Sequence, residues 1–468
     1  MKKYIKILLI SVLAISCDFL DETPEDFLSP SNFYVSSEDA VAAVNAIYNQ
    51  LSFGSYYGGN MWEVGERASD NLKEGPVSPP DQESLHTFTW TSANSNFGGL
   101  WQRIYVSINR ANTAIESIPN INMNEELKNR LLAESKFLRA LNYFDLLRIY
   151  GSVPLTETPT EDLQNLFVER SDINQIWNLI IRDLQESENV LPASYQGNDV
   201  GRATQGAAKS LLARVYLYKG DYSLAAQKAK EVIDANQFSL FEDVADLWDV
   251  TNKNGVEHIF SVQYLGGVQG SSFSNLFAVR GAAQPITGSS SAIVRQELVD
   301  SFEENDQRKA VSILDSYTFS DGSTETFEPH VWKFFDPTAP DPTSGSTNWP
   351  IIRYAEVLLI YAEALNESNS GPNAEAYEAI NAIRNRAGLE NLSEGMTQAA
   401  FKEALLNERR WELCFEGHRY FDLKRNNLLR ENMAVLGITV EDRHFLYPLP
   451  LRELDANPDL TQNPSYTQ

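Results

Sequence analysis

Between Gly201 and Phe238 the chain reads GRATQGAAKSLLARVYLYKGDYSLAAQKAKEVIDANQF, with small side chains at helical spacing on both sides of a Gly-Asp turn. Ala213 and Tyr216 precede the turn Gly220-Asp221-Tyr222, and Ala225, Ala229 and Val232 follow it. Alanines one turn apart let a second helix come close, and a tyrosine or leucine fills the groove that remains. This stretch therefore predicts two antiparallel helices joined by a short turn. Such a pair cannot bury its apolar faces alone, so it demands other helices stacked against it. A looser copy runs over 353–387, as RYAEVLLIYAEALNE followed by AEAYEAINAIRNRAGL. The two copies are not contiguous, which argues against a simple solenoid.

The spacing resembles that of tetratricopeptide units. Other segments extend the helical reading. Residues 39–51 form a helix capped by Ser36 or Ser37, with Glu38 and Asp39 in its first turn. Residues 100–118 form a second. Over 124–149, Leu127, Leu131, Leu138 and Leu141 line one face, and Gly151 with Pro154 closes the helix. Residues 172–190 form another, ending near Pro192. Two regions break the pattern. Residues 53–99 are rich in Gly, Ser, Asn and aromatics, and 255–350 mix strand-like runs such as HIFSVQYL with GGVQGSS, DGST and DPTAPDPTSGSTNWP. A structureless stretch of that length is improbable unless it serves function or carries short elements of its own. The expected fold is mainly α: a tetratricopeptide-like helical scaffold with long irregular ligand-binding loops and a few short strands.

The first residues, MKKYIKILLISVLAISC, combine a basic start at Lys2, Lys3 and Lys6 with an apolar run too short to span a bilayer permanently. Ala14-Ile15-Ser16-Cys17 resembles a bacterial lipobox. It predicts removal of 1–16 as a signal peptide, lipidation of Cys17, and a tether over 17–36. Residues 37–468 then form one body: an N-terminal half (37–254), a loop-rich ligand region (255–350) and C-terminal helices (351–468). The full chain of 468 residues carries a net charge of −26. Losing three lysines leaves 35 basic against 64 acidic groups. Such a surface repels nucleic acid and strongly anionic polymers. With Cys17 acylated, Cys414 has no partner, so no intramolecular disulfide supports the fold, and Cys414 reads as a small buried hydrophobe.

Seven segments in order resemble the SusD/RagB family of outer-membrane lipoproteins of Bacteroidetes. They are CDFLDETPEDF, WQRIYVSINRANTAIESIP, AESKFLRALNYFDLLRIYGSVPL, RYAEVLLIYAEALNE, AINAIRNRAGL, NERRWELCFEGHRYFDLKR and FLYPLPLRELDANPDLTQNPSY. The resemblance implies a lipid-anchored, cell-surface protein of the outer membrane that binds oligosaccharide or polysaccharide. It also implies delivery of the glycan to a partner TonB-dependent, SusC-like transporter. The helices would form the scaffold facing the transporter, with the ligand site on exposed loops.

Neutral sugars offer hydroxyls and apolar C–H faces, so they call for flat aromatic platforms ringed by polar side chains. In the first loop region the candidates are Tyr56, Tyr57, Trp62, Asp70, Asn71, Trp90, Asn94 and Asn96. In the second they are Tyr317, Trp332, Phe334, Phe335 and Trp349. Each could instead pack beneath its loop. Trp90, Trp332 and Trp349 stand out by their neighbours, whereas Trp101 and Trp411 lie in helical patterns and belong to the core. Arg353, after a loop aromatic and a proline, is a further candidate contact.

The segment NERRWELCFEGHRYFDLKR places Glu408, Glu412 and Glu416 four apart with His418 nearby, but the paired histidines of a zinc protease helix are missing. The expectation is an interhelical salt-bridge network, with i,i+3 pairs Arg409–Glu412, Arg419–Asp422 and Arg353–Glu356. No Gly-x-Ser-x-Gly elbow, phosphate loop or dinucleotide fingerprint occurs. The reading is a binding protein, not an enzyme, with no catalytic residue, cofactor or metal. Loop carboxylates leave room for structural calcium, but no EF-hand spacing appears. A peptide-capturing relative of RagB, a surface glycoside hydrolase and a tetratricopeptide adaptor stay open as alternatives. The negative charge favours a neutral glycan such as a glucan or fructan.

Overall fold

The computed structural model describes residues 33–160 and 167–466. The expected signal segment, Cys17 and most of the tether lie outside these residues. Helix α1 (Ser37–Leu51) begins at Ser36, whose hydroxyl accepts the Asp39 amide while the Asp39 carboxylate accepts the Ser36 amide, a reciprocal cap. Helices α2 (Ser95–Ser117), α3 (Glu125–Tyr150) and α4 (Ile173–Glu188) follow. The expected leucine face of α3 understates its burial. From Phe137 to Tyr150 every residue is buried, because α1, α2 and α4 pack around it.

Helices α5 (Gln205–Lys219) and α6 (Tyr222–Asp234) form the first expected pair. Gly220 turns the chain at φ +86°, a left-handed conformation that costs glycine little. Ala213, Ala225, Ala229 and Val232 are buried where the two helices meet. The looser copy becomes α7 (Tyr354–Ser368) and α8 (Ala374–Arg386), and α6 packs directly on α7. Repeats separated along the chain are thus neighbours in space. Helix α9 (Gln398–Glu412) packs on α7, and α10 (Arg419–Arg425) follows a short turn.

Among the described residues there are three two-stranded antiparallel sheets, and the chain between the copies is an excursion that supplies every strand but the first. Strand β1 (Leu72–Glu74) pairs with β3 (Ala292–Val294). Strand β2 (His258–Val262) pairs with β6 (Trp349–Arg353), His258 facing Arg353 and Val262 facing Trp349. The ladder brings the excursion back to where it left the helices. Strands β4 (Ile313–Thr318) and β5 (Thr324–Val331) form a hairpin within it. One hydrophobic cluster runs from Ala40 to Leu460, and it includes Trp101, Trp411 and Cys414. Among the described residues no helix is long and apolar enough to cross a membrane.

The glutamates of the α9 segment join a buried ion network, but with partners other than those expected. Arg353 pairs with Glu257, Glu412 and Glu416. Arg308 pairs with Asp306, Glu408 and Glu412, and Arg386 with Glu257 and Glu412. Arg409 reaches Asp422, and Arg419 reaches Asp70. Each arginine bonds across elements, because burial rewards only a partner that meets the whole guanidinium fork. The Glu412 carboxyl is held well below its usual range: burial would raise it, but Arg386, Arg353 and Arg308 outweigh that.

Glu412→Gln should lower the unfolding free energy by about 3–5 kcal/mol, because it leaves three buried guanidinium groups short of an anion. Urea denaturation measures this, and an unchanged midpoint would contradict the role given to the network.

Candidate functional site

A surface of half-buried aromatic rings stands on the β4–β5 hairpin and the turn after it. The hairpin is pinned at its base, where Ile313 and Val331 are buried opposite each other and the Trp332 amide donates to the Ser312 carbonyl at 2.8 Å. His330 Nε2 lies 2.8 Å from the buried Ser290 hydroxyl, which ties β5 to the chain before β3. At the tip, the Asp321 carboxylate accepts from the Ser323 amide and hydroxyl. A register shift between Leu314 and Ser316 turns the outer half of the hairpin.

The chain then alternates in direction. Lys333 is buried, and its Nζ donates to the Cys414 carbonyl and to Glu416, each at 2.8 Å. Phe334 is buried and stacks on Trp349 at 5.0 Å between centroids. Trp332 and Phe335 on either side remain half exposed and stack on each other at 4.1 Å and 14°. Tyr317 lies 6.3 Å from Trp332, and Phe319 lies 5.0 Å from Tyr317. Tyr317 faces Glu325 in the ladder, so a carboxylate shares its side of the hairpin. Asp336 fixes the following loop by accepting from the Thr338 and Ser346 amides. The result is a rigid apolar platform with hydroxyl and carboxylate groups beside it.

The structure keeps three of the fourteen candidate contacts, Tyr317, Trp332 and Phe335, at the surface and places the other eleven inside. Tyr56 and Tyr57 are buried, and both hydroxyls donate to Asp145, at 2.6 and 2.7 Å. Trp62 is buried against Phe277 with Arg67 over its ring. Asp70 makes a two-pronged pair with Arg419 at 2.7 and 2.8 Å. Asn71 bridges Glu66 and Arg410. Trp90 is buried, its Nε1 donating to the Tyr466 hydroxyl. Asn94 caps α2 and donates to the Asp81 carbonyl. Trp349 lies under Phe334, and Arg353 is spent in the ion network. Asn96 and Phe334 are buried too.

For Asp70 and Asn71 the cause is a first loop region pressed onto the C-terminal helices, where Arg419 and Arg410 meet them. A Cβ on Gly65 would stand 2.2 Å from the Gly417 carbonyl oxygen, so only glycine permits that approach. Sequence reasoning missed Phe319 and Glu325. The apolar alternation of Tyr317 and Phe319 leading into the DGST turn was the available signal. Among the described residues no cluster of His, Cys, Asp and Glu forms a metal-ligand set.

A helical, tetratricopeptide-like scaffold that presents a loop-built aromatic platform defines a class of binding proteins. Comparison with known proteins gives the family. Residues 18–217 match a model described as "Starch-binding associating with outer membrane", and residues 303–466 match the SusD family model. The chain belongs to the SusD-like family. A SusD-like protein of Formosa agariphila is 29% identical over the whole of both chains. A SusD superfamily protein of Parabacteroides distasonis, 28% identical, superposes with TM-score 0.83 over 94% of this chain and 100% of its own. A laminarin-binding SusD-like protein, 27% identical, does so with TM-score 0.82 over 92% of this chain and 100% of its own.

Burial alone would raise the Asp70 carboxyl, but Arg419 and Arg410 hold it at about 2, below its usual 3.8. A depressed folded-state value adds stability above pH 3.8 that fades as pH falls towards 2. The contribution is about 2 kcal/mol. Asp70→Asn should be less stable at neutral pH and flatter across that acid window. Equal pH slopes for the two proteins in urea titrations would refute this.

Proposed function

We propose that this is a glycan-binding lipoprotein of the outer membrane, held at the cell surface by lipid on Cys17. It captures a neutral oligosaccharide on the Tyr317, Trp332 and Phe335 face and passes it to a SusC-like TonB-dependent transporter. The observation that carries this reading is the stacked Trp332–Phe335 pair, half exposed on a segment whose intervening side chains are nailed into the core. Flat rings held rigidly match the C–H faces of a sugar and lose little entropy on binding. Glu325, opposite Tyr317, can accept hydroxyl donors from the same ligand. The family description and the laminarin-binding relative support a glycan as the ligand.

Binding without turnover fits the carboxylates that first suggest chemistry. Glu408, Glu412 and Glu416 are buried and paired with arginine or lysine, and none reaches the platform's open side. The mature body is read as a single unit over 37–468, its excursion serving as the ligand-facing part.

Calorimetry of the whole chain in detergent against laminarihexaose, maltoheptaose and acidic oligosaccharides tests the ligand class. Binding to a neutral sugar without hydrolysis is expected. Trp332→Ala should weaken it by about 1–3 kcal/mol, by analogy with base–aromatic stacking, with little loss of stability. Unchanged affinity in that variant would misplace the site, and binding of peptides alone would replace the glycan reading. Cys17→Ala should release the protein from membranes on fractionation, and retention like the wild type would defeat the anchor.

A further inference from the structure

A second binding groove lies away from the hairpin, where α1, the loop between α4 and α5, the chain after α6 and β2 meet. It consists of two adjoining cavities of about 450 and 380 Å³. Val200, Gly201, Arg202 and Ser261 line both, so the two are continuous along a shared wall. No residue of 313–335 contributes to either. Each volume falls in the range of small-molecule sites.

The lining has a distinct chemistry. Tyr195 and Phe238 offer half-buried rings, and Val200 and Val256 are 44% and 49% exposed. Amide side chains dominate the polar part: Asn45, Asn49, Asn198, Gln263 and Gln269. Arg202 is the single charged side chain in the lining described, and its charge is spent. Its guanidinium donates to Asp199 at 2.6 Å, Glu134 at 2.9 Å and Asn45 at 2.7 Å. His258 is kept neutral at ordinary pH, because burial and then Arg353 lower it to about 4. The groove therefore presents rings, amides and hydroxyls with no net charge.

Two buried polar atoms at this wall lack partners among the described residues. They are the Ser261 hydroxyl, on a residue 3% exposed, and His258 Nδ1. Buried polar groups are almost always bonded, so these two indicate a ligand or solvent that enters the groove. Gln263, Asn49 and Gln269 already bond Asn254, Asn348, each other and Ser52, which leaves the exposed Asn198 and Gln237 amides to meet a polar ligand, and anions would find no free cation.

We propose that this groove is a second carbohydrate site, taking a neutral oligosaccharide independently of the hairpin. Rings supply stacking, the exposed Asn198 and Gln237 amides supply donors and acceptors, and Ser261 and His258 receive the most deeply inserted hydroxyls. The inference rests on this lining alone and survives even if the platform binds something else.

Hydrogen exchange read by mass spectrometry on the whole chain in detergent, with millimolar laminarihexaose or maltoheptaose, separates the two sites by location. Slower exchange over 193–204 and 254–263 is expected for at least one sugar, and it should persist in Trp332→Ala. It should be lost in Tyr195→Ala and in Asn198→Trp, the latter an exposed loop position whose substitution leaves the core alone. Hairpin protection at 313–335 should survive in those two variants. Absence of groove protection with both sugars, its loss in Trp332→Ala, or its persistence in both groove variants would each overturn the proposal.

Discussion

Arg353 is the side chain on which the architecture converges. It ends β6, the strand that returns the long excursion, and its guanidinium bonds Glu257 before β2, Glu412 at the end of α9 and Glu416 in the next turn. A buried guanidinium with five donors is stable only when every donor finds an acceptor, so these elements meet in one geometry. Glu416 also accepts from Lys333, which immediately follows Trp332. The aromatic platform is thus tied to the helical scaffold at Glu416 and at the Cys414 carbonyl, both of which Lys333 meets. A ligand surface held this way can be irregular in backbone and still rigid.

The excursion explains how a discontinuous repeat becomes a continuous stack. Pairing β2 with β6 closes the loop at its root, so α6 and α7 pack as though nothing separated them in sequence. Small residues on α5 and α6 set the close approach that makes the stack possible. Beyond that root the loop still meets the helices at buried charges, Arg308 at Glu408 and Glu412 and Lys333 at Glu416, while its outer hairpin stands clear of them. The two proposed sites stand on separate parts of this frame, one on the hairpin and one where α1 and β2 border the α4–α5 loop.

Much of the helical frame was legible in the sequence, because periodic apolar positions and caps are local signals. The expected helices 39–51, 100–118, 124–149 and 172–190 differ from those observed by a few residues at their ends. Within the candidate site Tyr317, Trp332 and Phe335 were legible, whereas Phe319 and Glu325 were not, and most of the other candidate rings proved to be buried. An aromatic in a Gly- and Asn-rich loop reads the same whether it faces solvent or a neighbouring helix. Tyr56 and Tyr57 turn inward because Asp145, 88 or 89 residues away, needs their hydroxyls. The i,i+3 ion pairs failed for a related reason. A local pair is worth a few tenths of a kcal/mol, while a buried cross-element fork has no alternative acceptor.

By itself the sequence determined the helical class, the paired repeat and the excess of acidic groups, together with a family resemblance that the comparisons establish. Each of these rests on residues close together in the chain or on total composition. Only the tertiary structure decided which rings face outward, which arginine meets which glutamate, and that a groove lies beside β2. Those outcomes depend on competition among groups far apart in sequence for a limited set of buried partners. Lys333 and Phe334 take the interior positions, and Trp332 and Phe335 are left at the surface.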